Sequence, residues 1–161
     1  MCSSDLTIDE DGNRVVNFTV GDLETLPANL MLSARSSNTA VLPATRMTFG
    51  GSGVNRTLTL TPAANIFGTT AITVTVTDAN GGSATEPFQF TINSVNDRPV
   101  LQPIGNQIIS EDRDVVVGLA LGDVETLPDQ LLVTASSSNA DLFPNGNLVI
   151  AGTGTSRTLT A

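Results

Sequence analysis

Histidine, lysine, tryptophan and tyrosine are all missing from this 161-residue chain, and cysteine occurs once, as Cys2. Without histidine there is no imidazole base, and a lone cysteine beside the start is no nucleophile site. Carboxylate pairs could serve glycoside hydrolysis, but that chemistry wants a cleft lined by sugar-stacking aromatics. The only aromatics are six phenylalanines, and they fall at alternating core positions, so the composition argues against an enzyme. One cysteine rules out an internal disulfide framework and a cysteine-based zinc site. No apolar run approaches the ~20 residues that span a membrane as a helix, and no membrane insertion is expected. The balance of seven arginines against sixteen acids gives a net charge of −9. Nucleic acid and anionic membrane surfaces are therefore poor partners, and cations better ones.

The start of the chain lacks the charged and apolar regions of a signal peptide. Met1 to Leu6 reads instead as the translated end of a sequencing adapter, so residues 1–6 are expected to be a non-native leader.

Self-similarity organises the remainder. Shifting the chain by about 101 positions aligns Ile8–Thr59 with Ile109–Thr160 without a gap, and about 23 of 52 positions are identical. Gly21-Asp22-x-Glu24-Thr25-Leu26-Pro27 falls on Gly122-Asp123-x-Glu125-Thr126-Leu127-Pro128. Ser36-Ser37-Asn38 falls on Ser137-Ser138-Asn139, and Arg56-Thr57-Leu58-Thr59 on Arg157-Thr158-Leu159-Thr160. The expected organisation is one complete repeat over 7–98 and a truncated second over 99–161. The second copy would lack its last two strands, leaving an open core, an unpaired sheet edge and weak protection from hydrogen exchange.

Strand signals dominate each copy. Val16, Phe18 and Val20 alternate with polar residues, as do Val117, Leu119 and Leu121 in the second copy. Ala71–Thr77 sets apolar residues on one face and threonine on the other, and Phe88, Phe90 and Ile92 form the last strand of the repeat. Turn residues separate these runs, among them Gly50–Gly53, Pro62–Asn65 and Asp78–Gly82. About seven short strands in roughly 100 residues, with no helical periodicity, predict an all-β, Greek-key β-sandwich. Arg56 and Arg157 are expected on solvated strand faces, with no assigned function.

Acidic residues cluster at repeated positions: Glu10-Asp11 and Glu111-Asp112, Asp22/Glu24 and Asp123/Glu125. Between the copies stands Val95-Asn96-Asp97-Arg98-Pro99, where Pro99 fixes its own φ and biases Arg98 towards extended backbone. Side-chain oxygens of Asn96 and Asp97 suit a hard cation such as Ca²⁺. Two readings stand for this joint, a stiff turn in which Asn96 and Asp97 cap local backbone, or a Ca²⁺-stiffened link. The same alternatives hold for Asp22/Glu24 and Asp123/Glu125, while Asp78-Ala79-Asn80-Gly81 fits a hairpin turn better than a ligand loop.

Taken together, the early Glu10-Asp11, the Gly21-Asp22-x-Glu24 segment, Thr77-Asp78-x-x-Gly81-Gly82 and the closing Val-Asn-Asp-x-Pro resemble the cadherin-like and immunoglobulin-like tandem repeats of large bacterial surface proteins and adhesins. The resemblance implies a Ca²⁺ site at the joint built from Glu10, Asp11, Asn96, Asp97, Asp123 and Glu125. It also implies half-sites for neighbouring repeats at Asp22, Glu24 and Asp78 on one side, and at Glu111 and Asp112 on the other. Cadherins carry an Asp-x-Glu in the loop that here reads Pro62-Ala63-Ala64-Asn65. Lacking those carboxylates, the joint would hold one or two ions, or bind weakly. The implied function is a structural and adhesive module at the cell surface, its partners being neighbouring repeats of the same chain and a surface protein or carbohydrate. The alternatives are a carbohydrate- or protein-binding sandwich and a Ca²⁺-independent spacer.

Overall fold

The computed structural model describes residues 5–161. Residues 1–4, and with them Cys2 and most of the expected leader, lie outside the described residues. The chain divides into two compact units, Met1–Val95 and Asn96–Ala161, so Asn96 and Asp97 group with the second. Among the described residues no helix is long and apolar enough to cross a membrane.

The first unit is a sandwich of two sheets. One contains β1 (Leu6–Asp9), β7 (Ser83–Asn93), β6 (Gly68–Thr77) and β3 (Met31–Ser36), in that order. The other contains β2 (Arg14–Thr19), β5 (Asn55–Leu60) and β4 (Met47–Ser52). All pairings are antiparallel except β1 with β7, where Leu6 faces Phe90 and Ile8 faces Ile92. Leu6, the last residue of the expected leader, thus opens a core strand and packs against the core.

Alternation determines which side chains meet between the sheets. Leu58 and Leu60 of β5 pack against Ile72 of β6 and Phe90 and Ile92 of β7, with Leu42 from a connecting loop closing the end. Each such side chain contributes roughly 1.5–3 kcal/mol on full burial. Phe18 and Phe49, on the strands flanking β5, meet edge to face at 6.3 Å. Thr70 occupies an inward position of β6 and is only 2% exposed. Its hydroxyl lies 2.7 Å from Ser36 Oγ and accepts the Asn38 N–H at 3.0 Å. Ser36-Ser37-Asn38, one of the repeated motifs, is therefore a loop built around a buried hydroxyl.

The second unit keeps only one of these sheets intact. Strands β9 (Val116–Gly122), β10 (Val149–Thr153) and β11 (Ser156–Thr160) pair in the order β10-β11-β9, matching β4-β5-β2. The two-residue β8 (Val100–Leu101) adds to β9. Residues 107–110 and 132–137, the repeat counterparts of β1 and β3, form no strand. In the first unit both segments pair with the β6–β7 hairpin. Among the described residues no such hairpin lies beside 107–110 or 132–137, and extended backbone without a ladder partner is not held in place. Burial follows the same rule. Leu42 is 0% exposed, while its counterpart Phe143 is only partly buried; Val41 is 7% exposed and its counterpart Leu142 78%.

Candidate metal centre and the acidic turns

The acidic motifs of the two units close turns in the same way. Asp22 Oδ1 accepts the N–H groups of Glu24 at 3.0 Å and Thr25 at 2.7 Å. Asp123 Oδ1 accepts those of Glu125 at 3.1 Å and Thr126 at 2.7 Å. Each aspartate thus caps the turn that begins its Gly-Asp-x-Glu-Thr-Leu-Pro segment. The amide of Thr25, then that of Glu24, holds the Asp22 carboxyl below its ordinary pKa, and the Thr126 amide does the same for Asp123. Both carboxyls therefore favour the ionised form.

Local backbone also occupies several other candidates. Asp78 Oδ1 accepts the N–H of Asn80 at 2.7 Å and of Gly82 at 2.9 Å, closing the β6–β7 hairpin. Asp11 sits in the left-handed region (φ 62°), and its Oδ1 accepts the Asn65 N–H at 3.0 Å. That bond ties the turn after β1 to Pro62–Asn65, the loop that has no carboxylate of its own. Asp112 repeats the left-handed turn (φ 60°), and Glu111 and Asp112 are both exposed. Asn96 donates from Nδ2 to the carbonyl of its neighbour Asp97 at 2.6 Å.

Two glutamates differ from these caps. Glu10 is 7% exposed, and its Oε1 accepts the Val95 N–H at 2.7 Å, tying the end of β1 to the exit of β7. Its other oxygen, Oε2, is buried with no hydrogen-bond partner among the described residues. In the second unit Glu125 Oε2 accepts the backbone N–H of Asp97 at 2.9 Å, while Glu125 Oε1 is buried with no hydrogen-bond partner among the described residues. Glu24, the counterpart of Glu125, is exposed. The second unit thus brings Asp97, Asp123 and Glu125 into one neighbourhood, and in the first unit Glu10 stands in the turn after β1.

Buried carboxylate oxygens without donors are uncommon, and a cation is one group that would satisfy them. Among the described residues no group of three or more Asp, Glu, His or Cys side chains could hold a metal ion. Ca²⁺ takes roughly six to eight oxygens. A bound ion would therefore be held by carboxylates in ones and twos, completed by carbonyls and water. The donor set is all oxygen and fits a hard cation to that extent.

Arg56 and Arg157 do not lie on solvated faces as the sequence suggested. Arg56 donates from Nη2 to the Pro27 carbonyl at 2.7 Å and from Nη1 to the Gly51 carbonyl at 3.4 Å. Arg157 makes the same pair of bonds, to Pro128 at 2.9 Å and Gly152 at 2.6 Å. Each guanidinium clamps the acidic turn to the β-hairpin, fixing the segment that carries Asp22/Glu24 or Asp123/Glu125. The hairpin side of the clamp needs glycine. Gly51 has φ 82°, and a Cβ there would stand 2.5 Å from the Asn55 carbonyl oxygen. Recurrence of Arg56 and Arg157 at the repeat spacing was the signal in the sequence, but strand alternation alone does not reveal a carbonyl target.

The family model for the bacterial Ig domain matches residues 3–91. The chain belongs to that family. No curated protein matches it. Among solved structures, a titin fragment is 11% identical, with a TM-score of 0.42 over 97% of this chain and 77% of its own. The human desmocollin-1 ectodomain is 17% identical, with a TM-score of 0.41 over 95% of this chain. This chain spans 29% of the desmocollin chain. The Ig-domain match covers the first unit, whose acidic turns, arginine clamp and Ser-Ser-Asn loop all recur in the second.

Proposed function

We propose that this bacterial Ig-domain chain is a structural and adhesive repeat module of a large extracellular surface protein, in which Ca²⁺ stiffens the joint after the first repeat. Its work is mechanical: it holds successive sandwiches at a fixed angle so that a distal binding region stands clear of the cell. The observation that supports a metal role best is Glu125. One of its oxygens already receives the Asp97 amide, and the other is buried with no donor among the described residues. Asp97 and Glu125 would supply charge to the ion, with Asn96 as a further oxygen donor. Asp11, Asp22, Asp78 and Asp123 serve first as turn caps and would contribute at most a second oxygen each. Without the ion, carboxylates gathered at a joint repel one another and the link flexes.

Calorimetric titration of Ca²⁺ into the full chain, with thermal melts in its presence and absence, tests this reading. Saturable binding and a raised melting temperature are expected, because an ion at 100 times its Kd stabilises the state it binds by about 2.7 kcal/mol. Asp97→Ala and Glu125→Gln should each weaken binding. Glutamine keeps an oxygen for the Asp97 amide but removes the charge, so its effect reports the metal rather than the turn. No binding at millimolar Ca²⁺ would sink the metal role and leave a Ca²⁺-independent spacer.

A further inference from the structure

The β10–β11 hairpin holds the acidic turn of the second unit at three points. Arg157 Nη2 donates to the Pro128 carbonyl at 2.9 Å and Nη1 to that of Gly152 at 2.6 Å, so one guanidinium joins the turn to the hairpin. Arg157 Nε is buried with no acceptor among the described residues, which leaves that pair of carbonyls to fix the group. Asp129, just beyond Pro128, accepts the Gly154 N–H on Oδ1 at 2.6 Å. The first unit has Ala28 at the matching position and lacks this second tie. On the other flank of the turn, the Leu121 N–H reaches the Thr155 carbonyl at 2.9 Å.

The same turn receives the chain that leads into the unit. That segment is attached in two ways. Val100 and Leu101 pair with Gly122 and Leu121, and the Gln102 N–H bonds to the Ala120 carbonyl at 2.8 Å, a ladder that needs no side chain. Asp97, by contrast, is attached through its N–H to Glu125 Oε2 at 2.9 Å. A glutamate side chain loses much rotamer freedom when it is ordered, so its hold on the amide depends on how firmly its own backbone is placed.

We propose that Arg157, seconded by Asp129, is a positioning residue for Glu125. By clamping Pro128 to Gly152 it sets the turn from which Glu125 reaches the Asp97 amide, and so orders the Asn96–Asp97 segment from a hairpin that does not touch it in sequence. A ligand group ordered before an ion arrives binds it more tightly than one that must be ordered on binding. Arg157 therefore also raises cation affinity, and this part alone rests on the Ca²⁺ reading given above.

Amide exchange followed residue by residue by NMR on the full chain, without metal, tests the positioning role. An ammonium cannot span both carbonyls, so in Arg157→Lys the Asp97 amide should exchange about tenfold faster or more. The Gln102 amide, held by the β8–β9 ladder, should stay within about twofold of its rate in the unsubstituted chain. Arg56→Lys makes the same change in the first unit and should leave Asp97 as it was. Should Arg157→Lys fail to fold, Asp129→Ala cuts only the second tie and should likewise speed Asp97 more than Gln102. An unchanged Asp97 rate overturns the proposal, because Glu125 is then placed without the clamp. Equal acceleration of Asp97 and Gln102 overturns it too, since the clamp then only stabilises the unit as a whole. Titration with Ca²⁺ separates the two readings: Arg157→Lys should bind about tenfold more weakly than the unsubstituted chain, and equal affinities would overturn the cation part. Absence of binding by the unsubstituted chain would remove the Ca²⁺ reading and leave Asp97 exchange to decide the positioning role.

Discussion

Thr70→Val removes one hydroxyl from the core and leaves the shape of the side chain unchanged. Thr70 is 2% exposed, and its hydroxyl lies 2.7 Å from Ser36 Oγ and accepts the Asn38 N–H at 3.0 Å, with a longer contact of 3.3 Å to Ser37 Oγ. Two good hydrogen bonds at about 1 kcal/mol each, plus the weaker third, put the loss near 2–3 kcal/mol. Two effects offset part of this. The Asn38 N–H keeps an alternative acceptor in Ser36 Oγ at 3.2 Å, and the added methyl gains at most about 0.8 kcal/mol of burial. The net destabilisation is roughly 1–2 kcal/mol, a fall in melting temperature of about 4–16 °C for a domain of this size.

The assay is thermal melting by far-UV circular dichroism, with hydrogen exchange to assign the transition to the first unit. Thr69→Val is the control. Thr69 is the exposed neighbour of Thr70 and faces away from the core, so its change should stay within about 0.5 kcal/mol. If Thr70→Val proves as stable as Thr69→Val, the buried hydroxyl does not organise the Ser36–Asn38 loop.

Three further outcomes are expected. Arg56→Leu should destabilise the first unit by about 2 kcal/mol, since a charged donor to the Pro27 and Gly51 carbonyls is lost. Arg56→Lys should recover only part of that, because an ammonium cannot span both carbonyls as a guanidinium does; full rescue in urea melts would contradict the clamp. Acidification provides another check. The folded-state pKa values of Asp22 and Asp123 are lowered, so their contribution is complete above the ordinary aspartate value of about 3.9 and is lost as pH falls through it towards the folded-state value. Asp22→Asn should flatten the acid limb of the stability–pH curve, and an unchanged limb would count against the turn-cap role. Finally, Leu42→Ala should cost about 2–5 kcal/mol, while Phe143→Ala at the matching position should cost far less, because its site is not enclosed. Equal losses in denaturant melts would mean that the second unit is closed in solution.

The sequence alone determined the class of fold and its period. Alternation in Val16–Val20, in Ala71–Thr77 and in Phe88–Ile92 is a local property, since successive side chains of a strand point to opposite faces whatever they pair with. The 101-residue repeat needed only self-comparison. Its acidic turns were legible as motifs, and Asp78 could be assigned to a hairpin from its Asn and Gly neighbours.

Tertiary structure decided the rest, because the deciding partners are distant in sequence. Alternation places Thr70 on the face of Ile72 and Val74 and Thr69 on the other, but which groups satisfy the buried hydroxyl depends on a loop more than thirty residues away. Alternation sets Arg56 on the same face as Leu58 and Leu60, but the carbonyls that receive its charge, and that of Arg157, belong to turns in another part of the chain. Near-identical segments also took different states. Residues 31–36 form a strand and 132–137 do not, since a strand is stable only beside a hydrogen-bonded neighbour. Glu10 is buried and Glu111 exposed for a related reason, as Val95 offers its amide to the first and no described residue does so for the second. Propensity and pattern belong to the segment, whereas burial and pairing belong to whatever covers it.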